Sequence, residues 1–97
     1  MGGMRVIRLV FFALLIGFLG DARAEDKVAA RQAYAEASKH YDLNQYAEAL
    51  AAFKRAYWNF EDPSILYNIA QCHRALRQRS EAIEFYKSYL RKAAEPR

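Results

Sequence analysis

The side chains best suited to metal or nucleophile chemistry in this chain are His40, His73 and its one cysteine, Cys72. Two imidazoles fall short of the four ligands of a closed zinc site, and neither a carboxylate nor a thiol recurs beside both. Cys72 and His73 are adjacent, and neighbouring side chains on a helix diverge by about 100°, so the thiol cannot use that imidazole as its base. A lone cysteine makes no internal disulfide. The expected role of Cys72 is a buried structural thiol; if exposed in an oxidising compartment it could pair with another chain. No glycine-rich phosphate loop, paired carboxylates or Ser/His/Asp set is present. These residues imply no enzyme, no cofactor and no metal. The basic cluster Arg74, Arg77 and Arg79 reads as a solvated surface, with contact to anionic headgroups as the alternative. Tyr57, Trp58 and Phe60 have the composition of a membrane-edge cluster, but packing against a neighbouring element is the simpler expectation.

His40 and His73 hold equivalent places because the chain repeats itself. A slide of 33 residues lays Arg31–Pro63 on Ser64–Pro96 and matches Tyr34 with Tyr67, Ala37 with Ala70, His40 with His73, and Leu43 with Leu76. Gln45, Glu48, Ala49, Lys54 and Pro63 match Gln78, Glu81, Ala82, Lys87 and Pro96, giving 9 identities in 33. Leu50/Ile83 and Phe53/Tyr86 are close substitutions. A period of this length is the mark of stacked supersecondary units.

Each unit reads as two helices. Ala33, Ala37, His40 and Tyr41 recur at helical spacing, and so do Tyr46, Ala49, Leu50, Phe53, Ala56 and Tyr57 after a break at Asn44-Gln45. Asp62-Pro63 is an N-cap followed by proline at the first helical position. The pattern predicts helices over 26–43, 46–60, 63–77 and 79–94. Ala37, Ala49, Ala70 and Ala82 are the expected close-approach points, and Phe53 and Tyr86 the large residues filling the space beside them.

The series Tyr34…Ala37…His40-Tyr41…Tyr46…Ala49-Leu50…Phe53…Ala56…Pro63 resembles the tetratricopeptide (TPR) repeat, and Tyr67…Ile69-Ala70…Ala82-Ile83…Tyr86…Pro96 resembles it again. The stretch Asp62–Leu76 is also similar to short exported repeat proteins of Gram-negative bacteria, particularly the myxobacterial type. The resemblance implies an all-α fold: two tandem TPR-like helix–turn–helix hairpins, about 30–62 and 63–96, forming an α-solenoid within a domain at 25–97. The family's turn glycine is Asn44 in one unit and Arg77 in the other. Arginine is a poor left-handed residue, so a looser second turn is expected. The period of 33 also suits ankyrin repeats, whose Thr-Pro-Leu-His signature is absent. Glu95-Pro96-Arg97 matches Asp62-Pro63-Ser64, which opens the second unit, so a further unit or capping helix is expected beyond it. Arrays of this kind need polar caps, and Tyr86, Tyr89 and Leu90 are expected near a bare end face available for self-association.

The first 24 residues have a different character. Met1–Arg8 carries Arg5 and Arg8 and no acid, Leu9–Leu19 is 11 apolar residues, and Ala22 and Ala24 are spaced as a small-x-small cleavage site. This order predicts a secretory signal peptide cut between Ala24 and Glu25; the alternative is a retained membrane anchor, although a comfortable span needs about 20 residues. Removing it lowers the formal charge from +4 to +2, too little to argue for nucleic acid. The expected location is the periplasm or envelope of a Gram-negative bacterium, with membrane contact only if the segment is retained.

In TPR proteins the first helix of each pair lines a groove. Carried onto this chain, the resemblance implies a peptide-binding groove of Tyr34, Ser38, Tyr41, Tyr67, Asn68, Gln71 and Arg74. Asn68 stands where the family often places a peptide-binding asparagine. The family's carboxylate-clamp lysines are absent at Tyr34 and Tyr67, so recognition of a C-terminal carboxylate is not expected. The groove is aromatic and amide-rich with one positive charge, which suits an extended or helical segment of another protein. Packing between neighbouring units is the alternative use of Tyr34 and Tyr67.

Overall fold

A computed structural model of the chain describes residues 22–96. Four helices make up its regular structure: α1 (Ala22–Asp42), α2 (Tyr46–Asn59), α3 (Pro63–Ala75) and α4 (Arg79–Ala93). No strand occurs among the described residues. The helices pack as adjacent pairs, α1 on α2 and α3 on α4, and α2 joins the pairs by packing on α3. Most of the expected leader, residues 1–21, lies outside the described residues. Ala24 and Glu25 are exposed in the first turn of α1. That helix begins earlier than the expected 26: Ala22 to Ala33 contains no Gly or Pro to stop it, and Asp26 lies inside the helix rather than at its cap. None of the helices is long and apolar enough to cross a membrane.

Alanine decides how closely the helices approach. Ala37, Ala49, Ala52, Ala56 and Ala70 are wholly excluded from solvent. Phe53, Ile65, Leu66 and Ile69 fill the space beside them. Burying a side chain such as Phe53 contributes about 2 kcal/mol. Ala82 is also buried, so all four expected approach points lie where the repeat places them. Tyr57 packs against this core, but Trp58 is 89% exposed and Phe60 45%. The expectation that this trio packs together on a neighbour therefore fails for Trp58. It follows Tyr57 in α2, and the helical turn between them directs its indole away from the core.

The two hairpin turns are near copies. Asn44 (φ 60°) and Arg77 (φ 61°) are both left-handed. In the first turn the Asn44 and Gln45 amides donate to the carbonyls of Tyr41 (3.0 Å) and His40 (2.8 Å). In the second, Arg77 and Gln78 donate to Arg74 (3.0 Å) and His73 (2.9 Å). This is the Schellman arrangement, which satisfies carbonyls left over at a helix end. The expected loosening at Arg77 does not occur: the carbonyl acceptors outweigh the cost of a Cβ at positive φ, about 1–2 kcal/mol.

A hydrophobic contact often joins the outer residues of such a turn. Here a polar latch replaces it. Nδ1 of His40 meets Oε1 of Gln45 at 2.7 Å, and Nδ1 of His73 meets Oε1 of Gln78 at 2.7 Å. A carbonyl oxygen only accepts, so Nδ1 carries the proton in both latches. The recurrence of His and Gln is thus accounted for by the turn. Between the hairpins, the Asp62 carboxylate accepts from the Ser64 amide (3.0 Å) and hydroxyl (2.9 Å), with Pro63 at the first helical position, as the sequence predicts.

Candidate peptide-binding site

The first helices of the two hairpins, α1 and α3, place Tyr34, Ser38, Tyr41, Tyr67, Asn68 and Gln71 around one hollow of about 170 Å³. Six of the seven expected groove residues therefore come together. The seventh, Arg74, does not line this hollow; it lies with Arg77, Arg79, Ala82, Ile83 and Tyr86 around a second one. Asp42 and Phe53 complete the first hollow. The expected single positive charge is thus replaced by a carboxylate. Asp42 stands one turn beyond Ser38, and that i, i+4 spacing places both on one helix face. Phe53 reaches the hollow from α2, a helix that the resemblance does not assign to the groove.

The aromatic residues serve packing and surface together. Tyr34 meets the edge of Phe53 at 5.4 Å between centroids, and Tyr67 leans on Tyr86 (5.7 Å) and Tyr89 (5.5 Å). Both tyrosines nevertheless remain 42% exposed. Their ring contacts lie within their own hairpins, and each leaves part of its surface to solvent.

The polar side chains are held in orientation. Asn68 Nδ2 donates to the Tyr34 hydroxyl at 3.2 Å, which ties α3 to α1. The Tyr86 hydroxyl donates to Gln71 Oε1. Each amide is anchored by one end, so the Asn68 carbonyl and the Gln71 amino group remain an acceptor and a donor with no partner among the described residues. Ser38 instead donates back to the Tyr34 carbonyl at 3.0 Å within α1. Burial pushes the Tyr41 phenol above its ordinary pKa, with Tyr46, Cys72 and Tyr86 adding to the rise and Arg74 opposing it. The phenol therefore stays neutral at physiological pH.

The two histidines divide at their other nitrogen. His40 Nε2 stands 3.7 Å from the Glu36 carboxylate one turn back. The corresponding residue in the second unit is Ile69. His73 is buried, its Nε2 has no hydrogen-bond partner, and its ring stacks on Phe85 at 5.2 Å. Cys72 is likewise fully buried, and desolvation pushes its thiol up to about 11. Such a thiol is a poor nucleophile at neutral pH.

The chain was compared with protein-family models, curated proteins and solved structures, and none matches. The site must be read from its own geometry.

Proposed function

We propose that the chain is an exported TPR-like adaptor that holds a segment of another protein across α1 and α3. The observation that carries this reading is the pair of oriented amides. Asn68 and Gln71 each spend one hydrogen-bonding group on a tyrosine hydroxyl and keep the complementary group available. An acceptor and a donor one turn apart, flanked by half-exposed tyrosines, suit the alternating donors and acceptors of a peptide main chain. Asp42 at the edge adds a preference for a basic side chain on the ligand. In this reading residues 1–24 direct export to the periplasm of a Gram-negative bacterium and are removed after Ala24.

The test is an NMR titration of the folded chain with extended peptides, one set carrying lysine and a matched set carrying glutamate. Binding of the lysine set, with shifts at Asn68 and Gln71, is the expected result. Gln71→Ala should weaken it by about tenfold, the worth of one well-placed hydrogen bond and its neighbours. Unchanged affinity in Gln71→Ala with an intact helical spectrum would remove the hollow from consideration. N-terminal sequencing of the mature protein checks the export step, with Glu25 as the expected first residue.

A further inference from the structure

The second hollow carries a separate inference. It is an open hollow of about 550 Å³ lined by the largely apolar Ala82, Ile83 and Tyr86 and by Arg74, Arg77 and Arg79. All three arginines are exposed, and Ile83 is 44% exposed. None of the three makes an ion pair among the described residues, whereas Arg55 is held by Glu36 at 3.1 Å. Three unpaired guanidinium groups beside an apolar lining form a surface that favours a partner of opposite charge with an apolar stripe.

The chain itself shows what fits such a surface. Ala82, Ile83 and Tyr86 correspond to Ala49, Leu50 and Phe53 in the first hairpin. That earlier surface is covered by a helix, α3, which brings Ile65, Leu66 and Ile69 into the same core as Phe53. The rims differ in charge. Arg74, Arg77 and Arg79 line the open face, and the positions that correspond to them in the first hairpin are the uncharged Tyr41, Asn44 and Tyr46. Arg74 is close enough to Tyr41 for its charge to act on that phenol. Moved on by one repeat, the occupant's corresponding residue would stand beside Arg74, where a carboxylate is the fitting choice.

We propose that this end face binds an amphipathic α-helix of a partner protein, whose apolar stripe lies on Ile83 and Tyr86 and whose flanking Asp or Glu side chains pair with Arg74, Arg77 and Arg79. The surface is distinct from the peptide hollow on α1 and α3, the two sharing no lining residue.

The test uses two synthetic helices of about 16 residues, long enough to hold helical structure. Both carry Leu at i, i+3, i+4 and i+7; one has Glu on its flanks and the other Lys. Calorimetry with the folded chain should show binding of the Glu helix only, weakened by added salt. The double variant Arg74→Glu/Arg79→Glu should lose the Glu helix by about tenfold or more and gain the Lys helix. Ile83→Asp should lose the Glu helix, while Asn68→Ala, at a side chain that touches Tyr34 and not the end face, should leave this binding unchanged. Equal binding of the two helices overturns the proposal, as does binding of neither. A chain dimer in sedimentation that Ile83→Asp dissociates also overturns it, because a second copy would then be the occupant. So does a wild-type chain that ignores both helices but binds phosphatidylglycerol vesicles.

Discussion

Helices α2 and α4 hold equivalent places in their hairpins, yet α2 buries Ala49, Ala52, Phe53 and Ala56 while α4 buries only Ala82. Part of the difference is residue type, since buried Ala52 and Ala56 correspond to Phe85 and Tyr89, and part is position in the stack. Helix α2 is packed on one side by α1 and on the other by α3, whereas α4 has α3 alone as a major neighbour. Equivalent positions thus meet unequal surroundings. Leu50 is partly buried against the core while its counterpart Ile83 faces out. Leu90 is 65% exposed as well; Tyr86 and Tyr89 are half-buried against Tyr67, and Tyr86 also lines the open end face. In a stacked structure a residue's energetic weight depends on its place in the stack as much as on its type.

The largest expected effect sets Phe53 against Tyr86. Phe53→Ala removes a buried ring from the centre of the shared core, at a cost of roughly 3–5 kcal/mol. A domain this small has about that much stability in all, so the variant should be largely unfolded at 25 °C by circular dichroism. Tyr86→Ala, at the half-covered counterpart, should cost about 1–2 kcal/mol and leave a cooperative urea transition. Similar losses at both sites would mean that α4 is covered after all, and the comparison would break.

The histidines come next. His73→Ala removes a buried latch and the ring stacked on Phe85, and should cost about 2 kcal/mol. His40→Ala breaks the same latch in a half-exposed place, with a cost of about 1 kcal/mol or less. Urea midpoints of the two variants measure the gap. It should close if Phe85→Ala is added to both, since Phe85 supplies the stack in one hairpin and the corresponding Ala52 leaves none in the other.

Cys72 extends the comparison to pH. Its counterpart Lys39 is solvent-exposed, because α1 has only one hairpin neighbour there, whereas the thiol sits fully buried in α3. Its pKa is raised from 9.0 to about 11 by burial. The folded state therefore holds this proton more tightly than the unfolded chain does. The thiol's contribution is whole below about pH 9 and is lost as pH rises towards 11. Tyr41 acts in the same direction above its ordinary 10.0. Thermal unfolding at stepped pH should show a decline from pH 9 that is shallower in Cys72→Ala than in the unsubstituted chain. Parallel declines would show that the thiol reaches water in the folded protein.

The sequence made the paired helices, the Asp62 cap and the four alanine approach points legible, because each rests on local spacing or turn chemistry. Six of the seven residues it singled out for a groove also line one hollow. Arg74 shows where that reasoning stops. Its register with Tyr41 was correct, but Tyr41 has α3 beside it to close a hollow, and among the described residues Arg74 has no helix in the equivalent place. Repeat symmetry predicts a residue's position and leaves its neighbours open at the end of the stack. The His–Gln latches were invisible for another reason. A side-chain hydrogen bond across five residues forms only once the left-handed turn has folded the chain back. Trp58 defeated expectation because an exposed indole breaks the usual link between ring size and burial.

The smallest effect concerns the turns, where geometry is equal and residue type is not. Asn44 and Arg77 differ by one degree in φ. Asparagine visits the left-handed region at little cost, while arginine's Cβ clashes there by about 1 kcal/mol or more. Arg77→Gly should therefore stabilise the chain by about 1 kcal/mol, less a few tenths for the added freedom of the unfolded backbone. Asn44→Gly should give no gain and a slight loss, because the Asn44 side-chain Oδ1 also accepts from the Tyr46 hydroxyl at 2.8 Å. Paired urea titrations of the two variants check this. Equal shifts would mean that the second turn relaxes its strain elsewhere. Keeping arginine at 77 in spite of the strain fits a use for its charge on the end face. If that is its role, the stabilised Arg77→Gly chain should bind the Glu-flanked helix more weakly than the unsubstituted one, although its fold is firmer.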